Sequence, residues 1–214
     1  MESHYIINPA VDLGILEYEE SLELQRNIVS KIRSWNYGDV LLIMGHPPVF
    51  TVGRGGIPEN YKEVEVVETE RGGDVTYHGP GQIVVYPIID LERNGIGGVR
   101  RYVEMVEGII IDSLKDNGYE ASVGNEPGIW VQGKKVASIG MAINNGISFH
   151  GFSLNISQEV LSGFARIKAC GLDPSYISYI NVDREKIKKD IIKNFSFRIH
   201  KFNVITKDFF YSII

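Results

Sequence analysis

The 214-residue sequence is poor in the features that mark several large classes of protein. Its one cysteine, Cys170, excludes an internal disulfide and any multi-cysteine metal site. Its 22 basic residues against 27 acidic ones give a formal charge of -5, without the basic excess that nucleic-acid phosphates require. No apolar run approaches the roughly 20 residues of a membrane-spanning helix, and the first residues do not resemble a signal peptide. We therefore expect a cytoplasmic protein with neither a nucleic-acid nor a membrane partner.

The composition is that of an ordinary folded protein. Hydrophobic residues make up 43% of the chain and charged residues 23%, so no segment is too polar to fold. A chain of 214 residues can bury one good core but is short for two. Because it shows no internal repeat, low-complexity stretch or linker, the sequence predicts a single domain over 1–214.

Hydrophobic periodicity outlines the secondary structure. Apolar residues three or four apart predict helices over three segments: 16–35, 99–114 and 182–195. Runs of β-branched and aromatic residues predict strands over seven others: 3–7, 40–44, 83–89, 128–132, 135–143, 147–156 and 197–205. A short helix is predicted between 158 and 170, Asn144-Asn145-Gly146 suits a tight hairpin turn, and Pro87 indicates an edge, a bulge or a strand end. This order predicts an α+β fold, a mixed or antiparallel sheet flanked by helices.

A glycine-rich segment over 71–82 carries the first cluster of reactive side chains. It consists of Arg71-Gly72-Gly73-Asp74-Val75-Thr76-Tyr77-His78-Gly79-Pro80-Gly81-Gln82. Glycines let the backbone turn sharply and let a ligand approach its amides. A plain solvent loop would also contain glycines, but it has no need for so many polar side chains. The segment therefore predicts a binding site on a loop.

A pair of lysines begins a second segment, Gly133-Lys134-Lys135-Val136-Ala137-Ser138-Ile139-Gly140. Together with Gly128 it mimics the spacing of a phosphate-binding loop, but Lys135 stands where that loop needs Ser or Thr, and the residues between are strand formers. Strict alternation would place Lys135 and Ala137 on one face of the strand and Ser138 on the other. One lysine can point inward, although two solvated lysines at a strand start are the commoner arrangement.

His150 and Cys170 complete the set of candidates. His150 lies in the predicted strand 147–156, where a buried, hydrogen-bonded histidine is commoner than a metal ligand, and no spacing among the five histidines suggests a metal site. Cys170 would most often be a small buried hydrophobe. A thiol is only slightly ionised at neutral pH, however, and an ammonium group beside it favours the thiolate. Cys170 with an inward Lys135 would make a nucleophile and base pair.

In order along the chain, these segments resemble the signature of one family, the lipoyl(octanoyl) transferases. The resemblance is carried by five segments: His46-Pro47-Pro48-Val49-Phe50-Thr51, 71–82, 133–140, Phe149-His150-Gly151-Phe152-Ser153-Leu154-Asn155 and Ala169-Cys170-Gly171-Leu172. It covers most of the chain between Gly45 and Ser178. Each segment alone is weakly specific, whereas the ordered set is highly specific.

The resemblance implies the fold of the catalytic domains of biotin and lipoate protein ligases. It also implies an enzyme that moves an octanoyl group from acyl carrier protein, through a thioester on Cys170, to a lysine of a lipoyl domain. The implied acceptors are the lipoyl domains of 2-oxoacid dehydrogenase E2 subunits and the glycine cleavage H protein. Lys135 would stabilise the thiolate and later act as a general base. No ATP, metal or other cofactor is implied, because the incoming thioester is already activated.

By the same resemblance, a set of residues is implied to bind the acyl substrate: Arg71, Gly72, Gly73, Asp74, Val75, Thr76, Tyr77, His78, Ser138, Ile139, Gly140, His150, Gly151, Phe152 and Ser153. Among them, Tyr77, His78 and His150 would surround the reacting centre. The chain departs from the family pattern at three positions, with Asp74 in place of Gln, Ala169 in place of Pro and Ser178 in place of Thr. The first two affect the fine positioning of the substrate, and Ser178 keeps the hydroxyl.

Two other functions fit parts of the sequence. An ATP-dependent lipoate protein ligase would share the fold but would have no use for Cys170, and turnover without ATP separates the two. A non-catalytic module that binds carrier or lipoyl domains would keep its binding when Cys170 is replaced. The presence of both Cys170 and Lys135 favours the transferase.

Overall fold

Two β-sheets organise the protein in the computed structural model, which describes residues 7–34, 37–124 and 126–214. The strands, numbered along the chain, are β1 (Pro9–Ile15), β2 (Val40–Gly45), β3 (Val49–Val52), β4 (Val67–Glu68), β5 (Val75–His78), β6 (Gln82–Ile88), β7 (Ala121–Val123), β8 (Ile129–Val131), β9 (Lys134–Asn144), β10 (Ile147–Asn155) and β11 (Asn203–Ile205). Among the described residues, the main sheet has the order β11-β1-β2-β6-β10-β9-β8-β7 and the small sheet the order β4-β3-β5. In the main sheet, β1 is parallel to β2 and β11, and the remaining neighbours are antiparallel.

Helices cover both faces of the main sheet. Their bounds are α1 (Tyr18–Lys31), α2 (Val99–Lys115), α3 (Leu161–Phe164), α4 (Arg184–Arg198) and α5 (Lys207–Ile213). The helices α2 and α4 pack together over one face, where Ile109 and Phe195 are fully buried. The helices α1 and α5 contribute Ile28 and Phe210 to a second core. Within the described residues, we find no helix with the length and apolar character needed to span a bilayer.

The central strand β2 shows how both faces become buried. Its Leu41 and Ile43 belong to the core under α2, whereas Leu42 and Met44 belong to the core under α1. Side chains alternate between the faces of a strand, so a sheet covered on both faces needs apolar residues at every position. Each such side chain contributes roughly 1.5–3 kcal/mol when it is fully buried.

The small sheet packs against the segment that carries Cys170. A third core joins β3, β5 and α3, and its buried members are Phe50, Val75, Tyr77, Val160, Phe164, Ile167, Ala169 and Ile177. Gly163 of α3 lies so close to Tyr77 that an added Cβ would be 2.3 Å from the ring. A larger residue there would push α3 away from β5, so this glycine permits the close packing that positions the chain before Cys170.

The predicted α+β fold, a mixed sheet flanked by helices, is confirmed. The predicted hairpin turn joins β9 to β10, and Asn145 and Gly146 have φ angles of 50° and 80°, as a tight turn requires. Pro87 is the next-to-last residue of β6, so the strand end is the alternative that applies.

Several predicted bounds are wrong. Residues 75–78 form β5, whereas the sequence predicts a loop there. The strand is only four residues long and has glycines on both sides, so its pattern is too short to be distinguished from a loop. The predicted strand 197–205 is mostly not a strand, since α4 continues to Arg198 to complete its packing and β11 begins only at Asn203. The segment before α1 forms β1, and the predicted strand 3–7 lies outside the described residues except for residue 7.

Candidate active site

Cys170 and Lys135 meet in the structure although 35 positions separate them along the chain. The Lys135 Nζ lies 3.9 Å from the Cys170 Sγ. Lys135 is 2% exposed, whereas Cys170 is partly exposed. A thiol that a reactant can reach, placed next to a buried amine, is an arrangement suited to nucleophilic catalysis.

Cys170 stands on a short 3-10 turn, Ala169–Gly171, that follows α3. Its backbone is left-handed, with φ 55° and ψ 33°, a conformation that costs about 1–3 kcal/mol for a residue other than glycine. The surrounding contacts impose this conformation: the Lys168 N–H donates to the Asn60 carbonyl at 2.9 Å, and Ala169 is buried in the third core. Strain of this kind is concentrated at functional sites.

Lys135 reaches the same place because a β-bulge interrupts β9. On β8, Ile129 pairs with Ala137. The next residue of β8 pairs with Lys135, so Val136 is left as the extra residue of the bulge. Val136 and Ala137 both join the core under α2, while Lys135 and Ser138 both line the pocket that contains Cys170. The strict alternation expected from the sequence is therefore wrong at this point.

Hydrogen bonds tie the segment after Cys170 to the strand of Lys135. The Ser178 N–H donates to the Lys135 carbonyl at 2.9 Å, and the Ser178 carbonyl accepts from Asn155 Nδ2 at 2.8 Å. The Asn155 Oδ1 in turn accepts from Gln82 Nε2 at 2.9 Å. Asn155 and Gln82 belong to the sequence motifs but had no role assigned to them, and the structure shows them supporting the site.

Burial makes Lys135 a readier proton donor than a lysine in water. Removal from water lowers the pKa of the Lys135 ammonium, while the charges of Cys170 and Glu126 act in the opposite direction. Removal from water is the largest of these effects, so the pKa of the Lys135 ammonium is lower overall than that of a lysine in water.

Gly128 packs closely against the Lys135 side chain. Its φ is 134°, and an added Cβ would lie 2.3 Å from the Ala137 carbonyl oxygen and 2.6 Å from the Lys135 Cε. In the sequence, Gly128 stands out only as part of the phosphate-loop spacing that we reject. The sequence therefore does not predict its contact with Lys135. A glycine five to ten residues before an inward lysine is too common a feature to signal this contact on its own.

The pair lies in a narrow pocket between the glycine-rich segment and the β9–β10 hairpin, with a cavity of about 50 Å³. At about 10–15 Å³ per water molecule, this space would hold only a few water molecules. The residues predicted for the site that line it are Arg71, Gly73, Asp74, Val75, Thr76, His78, Lys135, Ser138, Ile139, Gly140, His150, Gly151, Phe152, Ser153 and Cys170.

Two residues predicted for the site lie outside this lining. The Gly72 N–H donates to the Met141 carbonyl at 2.9 Å, and the Tyr77 ring packs in the third core. Four lining residues were not predicted: Tyr18, Tyr86, Pro127 and Ala169. The two tyrosines come from α1 and β6, where they occupy positions that in the sequence look like ordinary core.

Arg71 is a buried cation in the lining of the pocket, and only 6% of its surface is exposed. Its Nη2 donates to the Thr51 carbonyl at 2.8 Å and to the Thr51 Oγ1 at 2.9 Å, and its Nη1 donates to the Gly72 carbonyl at 3.0 Å. These bonds hold the glycine-rich segment against β3, so Arg71 shapes the pocket wall as well as lining it.

The Asp74 carboxylate accepts hydrogen bonds from a neighbouring loop. One oxygen accepts from the Ile57 N–H at 3.0 Å and the other from Asn60 Nδ2 at 2.6 Å. The same Asn60 accepts from the backbone of Lys168, two residues before Cys170. Asp74 therefore positions the loop that holds the nucleophile's turn, and its side-chain oxygens are already satisfied.

Tyr18, His78 and Tyr86 line the pocket, and His46 contacts all three of them. The His46 Nδ1 donates to the Leu16 carbonyl at 2.7 Å, which leaves its Nε2 to accept from the Tyr86 hydroxyl at 2.9 Å. The His78 ring stacks on Tyr18 with centroids 5.8 Å apart. Burial lowers the pKa of both His46 and His78, so both rings are neutral at pH 7.

His150 is held in an unusual conformation within β10. It is 1% exposed and has a φ of 53°, and its backbone N–H donates to the Gln25 Oε1 at 2.8 Å. Its ring stacks on Phe149 with centroids 4.8 Å apart, and its Nε2 lies 3.5 Å from a Glu70 carboxylate oxygen. Burial lowers the pKa of His150 to about 4, so this ring too is neutral at pH 7.

Several pocket side chains keep polar atoms without a hydrogen-bond partner among the described residues. They are Arg71 Nε, Thr76 Oγ1, His78 Nδ1, both ring nitrogens of His150, and Ser153 Oγ. Buried polar atoms are nearly always bonded in folded proteins. Their concentration around one pocket indicates a surface made to contact a bound group.

The chain matches the family model of the lipoyl protein ligase A/B catalytic domain over residues 17–206. It is 43% identical over 166 residues to the octanoyltransferase of Geobacter metallireducens, covering 75% of this chain and 76% of the relative. It is 44% identical over 164 residues to the octanoyltransferase of Pseudomonas entomophila, covering 75% of each chain.

Solved structures show the same fold. A lipoate-protein ligase A bound with ATP superposes with a TM-score of 0.74 at 15% identity, covering 94% of this chain and 90% of that one. A biotin protein ligase from Aquifex aeolicus gives a TM-score of 0.50 at 10% identity, covering 90% and 68%. The fold and the family match define a catalytic domain of the lipoyl protein ligase A/B class. Within that class, the chain belongs to the octanoyltransferase family, and it is an acyltransferase, as the sequence predicts.

Proposed function

We propose that this enzyme moves an octanoyl group from acyl carrier protein to a lysine of a lipoyl domain, through a thioester on Cys170. The observation that carries this function is the approach of the Lys135 Nζ to within 3.9 Å of the Cys170 Sγ. The names of the relatives support the octanoyl group. The acceptors are the lipoyl domains of 2-oxoacid dehydrogenase E2 subunits and the glycine cleavage H protein, and the reaction takes place in the cytoplasm.

The first step forms the acyl-enzyme. The Cys170 thiolate attacks the carbonyl carbon of the octanoyl thioester, and the carbon–sulfur bond to the carrier breaks. The leaving sulfur takes a proton from the Lys135 ammonium. The step converts an ion pair into a neutral thioester beside a neutral amine, and it needs no ATP because the incoming acyl group is already activated.

Acylation itself prepares Lys135 for the second step. Burial lowers the pKa of the Lys135 ammonium, and the charge of the Cys170 thiolate opposes that effect. Once Cys170 is acylated, the opposing charge of the thiolate is gone, so the pKa of the Lys135 ammonium falls further and the amine gives up its proton more readily.

Transfer to the acceptor then restores the starting state. The acceptor lysine's nitrogen attacks the thioester carbonyl while Lys135 takes the proton from that nitrogen. The carbon–sulfur bond to Cys170 breaks, and the thiolate and the Lys135 ammonium are regenerated. One proton and one acyl group are thus passed on in each turnover, with no net change in the enzyme.

Intact-mass spectrometry tests this function directly. The full chain is mixed with octanoyl carrier protein in the absence of ATP, and we expect a mass increase of one octanoyl group that hydroxylamine removes, as a thioester requires. The Cys170→Ser variant should show no such thioester. Addition of a lipoyl domain should discharge the adduct and increase the mass of that domain. If the wild-type chain never acquires the adduct, the function is wrong.

The same assay separates the two alternatives. A lipoate protein ligase would modify the lipoyl domain only with ATP and free acid, and a Cys170→Ser variant would retain that activity. A non-catalytic module would bind the carrier protein without any transfer. The 3.9 Å contact between amine and thiol has no purpose in either alternative, and for this reason we favour the transferase.

A further inference from the structure

A wall of three side chains separates the acyl pocket from a larger groove on the surface. His150 lines the pocket, and its Nε2 lies 3.5 Å from the Glu70 Oε2. Glu70 accepts from the Arg26 Nε and Nη2 at 3.0 Å each. Beyond them lies a groove of about 510 Å³ whose lining includes Arg26, Glu70 and Phe149. We call His150, Glu70 and Arg26 the distal wall.

The distal wall lies at the end of the pocket away from the nucleophile. Lys135 touches Cys170, and Gly140 follows five residues later on the same strand. Gly140 pairs with Gly151, the residue next to His150. At about 3.3 Å per residue, the distance along the sheet from Lys135 to the wall is roughly 15 Å.

The wall consists of three side chains that are held together by an ion pair and a histidine–carboxylate contact. The side chains of Arg26 and Glu70 are 56% and 23% exposed, so the wall extends from the buried His150 to solvent. His150 itself stacks on Phe149, whose ring also lines the groove. A substitution at the wall can therefore join a cavity of about 50 Å³ to one of about 510 Å³ without changing the sheet.

We propose that the distal wall sets the upper limit of acyl-chain length, and that opening it lets longer chains pass from the pocket into the groove. This inference rests on the proposed function. Three of the nine residues that line the groove, Val29, Ile147 and Phe149, belong to the second core, and a chain that passes the wall would contact them. Each extra methylene that becomes buried strengthens binding by roughly fourfold.

The test compares chain lengths on one enzyme. Wild type, His150→Ala and Glu70→Ala are each mixed with carrier protein bearing octanoyl, dodecanoyl or hexadecanoyl groups, and the rate of acyl-enzyme formation on Cys170 is followed by intact mass. We expect the ratio of dodecanoyl to octanoyl loading to rise at least about tenfold in His150→Ala, and by a smaller factor in Glu70→Ala. A purely structural role would slow all chain lengths equally and leave the ratio unchanged.

Glu92→Ala is the matched control. Glu92 is an exposed glutamate that pairs with Arg33, two residues after the end of α1, at 2.9 Å, as Glu70 pairs with Arg26, but it does not line the pocket. Its removal should leave the ratio as in the wild type.

The possible failures are distinguishable. If wild type loads octanoyl and both wall variants keep the wild-type ratio, the distal wall does not set chain length and the proposed function stands. If wild type loads no acyl group, the proposed function fails and the inference fails with it. If His150→Ala does not fold, Glu70→Ala at its partly exposed position decides the question, and an unchanged ratio there overturns the inference.

Discussion

Two buried charges in this protein have opposite surroundings. Asp39 is 0% exposed. Its carboxylate accepts from the Asp90 N–H at 2.9 Å and from the Asn94 Nδ2 at 2.6 Å, and it is ion-paired with Arg93. Lys135 is 2% exposed, and among the described residues the hydrogen-bond partner of its ammonium is a sulfur atom 3.9 Å away.

The difference separates a structural charge from a reactive one. A buried carboxylate with a full set of donors fixes the loops around it and has no free lone pair for a ligand. A buried ammonium with one weak partner is costly to the fold, and it remains available for proton transfer. Enzymes commonly accept such a cost at the site where the chemistry occurs.

The largest effect should follow replacement of Lys135 by methionine. We expect transfer to slow by about 10²- to 10⁴-fold, because the thiolate loses its cation and the acceptor loses its base. The free energy of unfolding should stay constant or rise by up to about 2 kcal/mol, since methionine keeps the apolar stem and removes the cost of burying a charge. Single-turnover acylation and urea unfolding measure the two quantities.

The exposed neighbour supplies the control, Lys134→Met, which should change neither the transfer rate nor the free energy of unfolding. A large loss of stability in Lys135→Met would place Lys135 in the same category as Asp39.

Asp39→Asn should show the reverse pattern. Replacing a carboxylate oxygen with an amide group costs roughly 1–3 kcal/mol of unfolding free energy, because one of the donors from Asp90, Asn94 and Arg93 loses its acceptor. The acylation rate per folded molecule should be unchanged. Urea unfolding and a rate corrected for the folded fraction report both values, with the exposed Glu65→Gln as control. Slower acylation at full stability would contradict the distinction between the two charges.

Gly128→Ala tests whether the position of Lys135 matters as much as its presence. A Cβ at Gly128 would lie 2.6 Å from the Lys135 Cε, so the amine must move, and a displacement of this size costs on the order of 10²-fold in rate. Gly133→Ala is the control, because Gly133 also has a positive φ, 73°, but its added Cβ would have no neighbour within 4 Å among the described residues beyond those adjacent in the chain. Equal rates for the two variants would mean that backbone strain, and not displacement of the amine, is responsible.

The smallest expected effect is the acid sensitivity of the pocket. Burial lowers the pKa of His150 from 6.5 to about 4, so the unfolded chain binds a proton more readily than the folded one. The contribution to stability is complete above pH 6.5 and is lost as the pH falls towards 4, with roughly 2 kcal/mol lost at pH 5. The unfolding free energy of the wild type should fall between pH 7 and pH 5, and in His150→Gln this fall should be smaller by roughly 2 kcal/mol. An equal fall in the two proteins would refute this prediction.

Much of the fold and of the pocket lining is visible in the sequence for simple physical reasons. The β9–β10 hairpin follows from Asn-Gly turn chemistry, and α2 follows from apolar residues at helical spacing. The glycine-rich segment and the residues around His150 stand out because polar side chains beside glycines are unusual in a core. These patterns depend on residues that are close together in the sequence, so they can be recognised without knowing which distant segments pack against them.

The rest depends on contacts between distant segments. The bulge at Val136 is a property of how β8 meets β9, and nothing in β9 alone indicates it. The carboxylate of Asp74 looks available in the sequence, but the loop at 57–60 uses both of its oxygens. Tyr18 lines the pocket from a helix that has only a core-like pattern. Each of these depends on a partner that the sequence does not place.

The hydrogen bond from the Ser178 N–H to the Lys135 carbonyl also affects how the enzyme can move. It joins the segment that follows Cys170 to the backbone of β9, so a displacement of either one pulls on the other. We therefore expect the separation between the thiol and the amine to vary less than it would if the two segments were free to move independently.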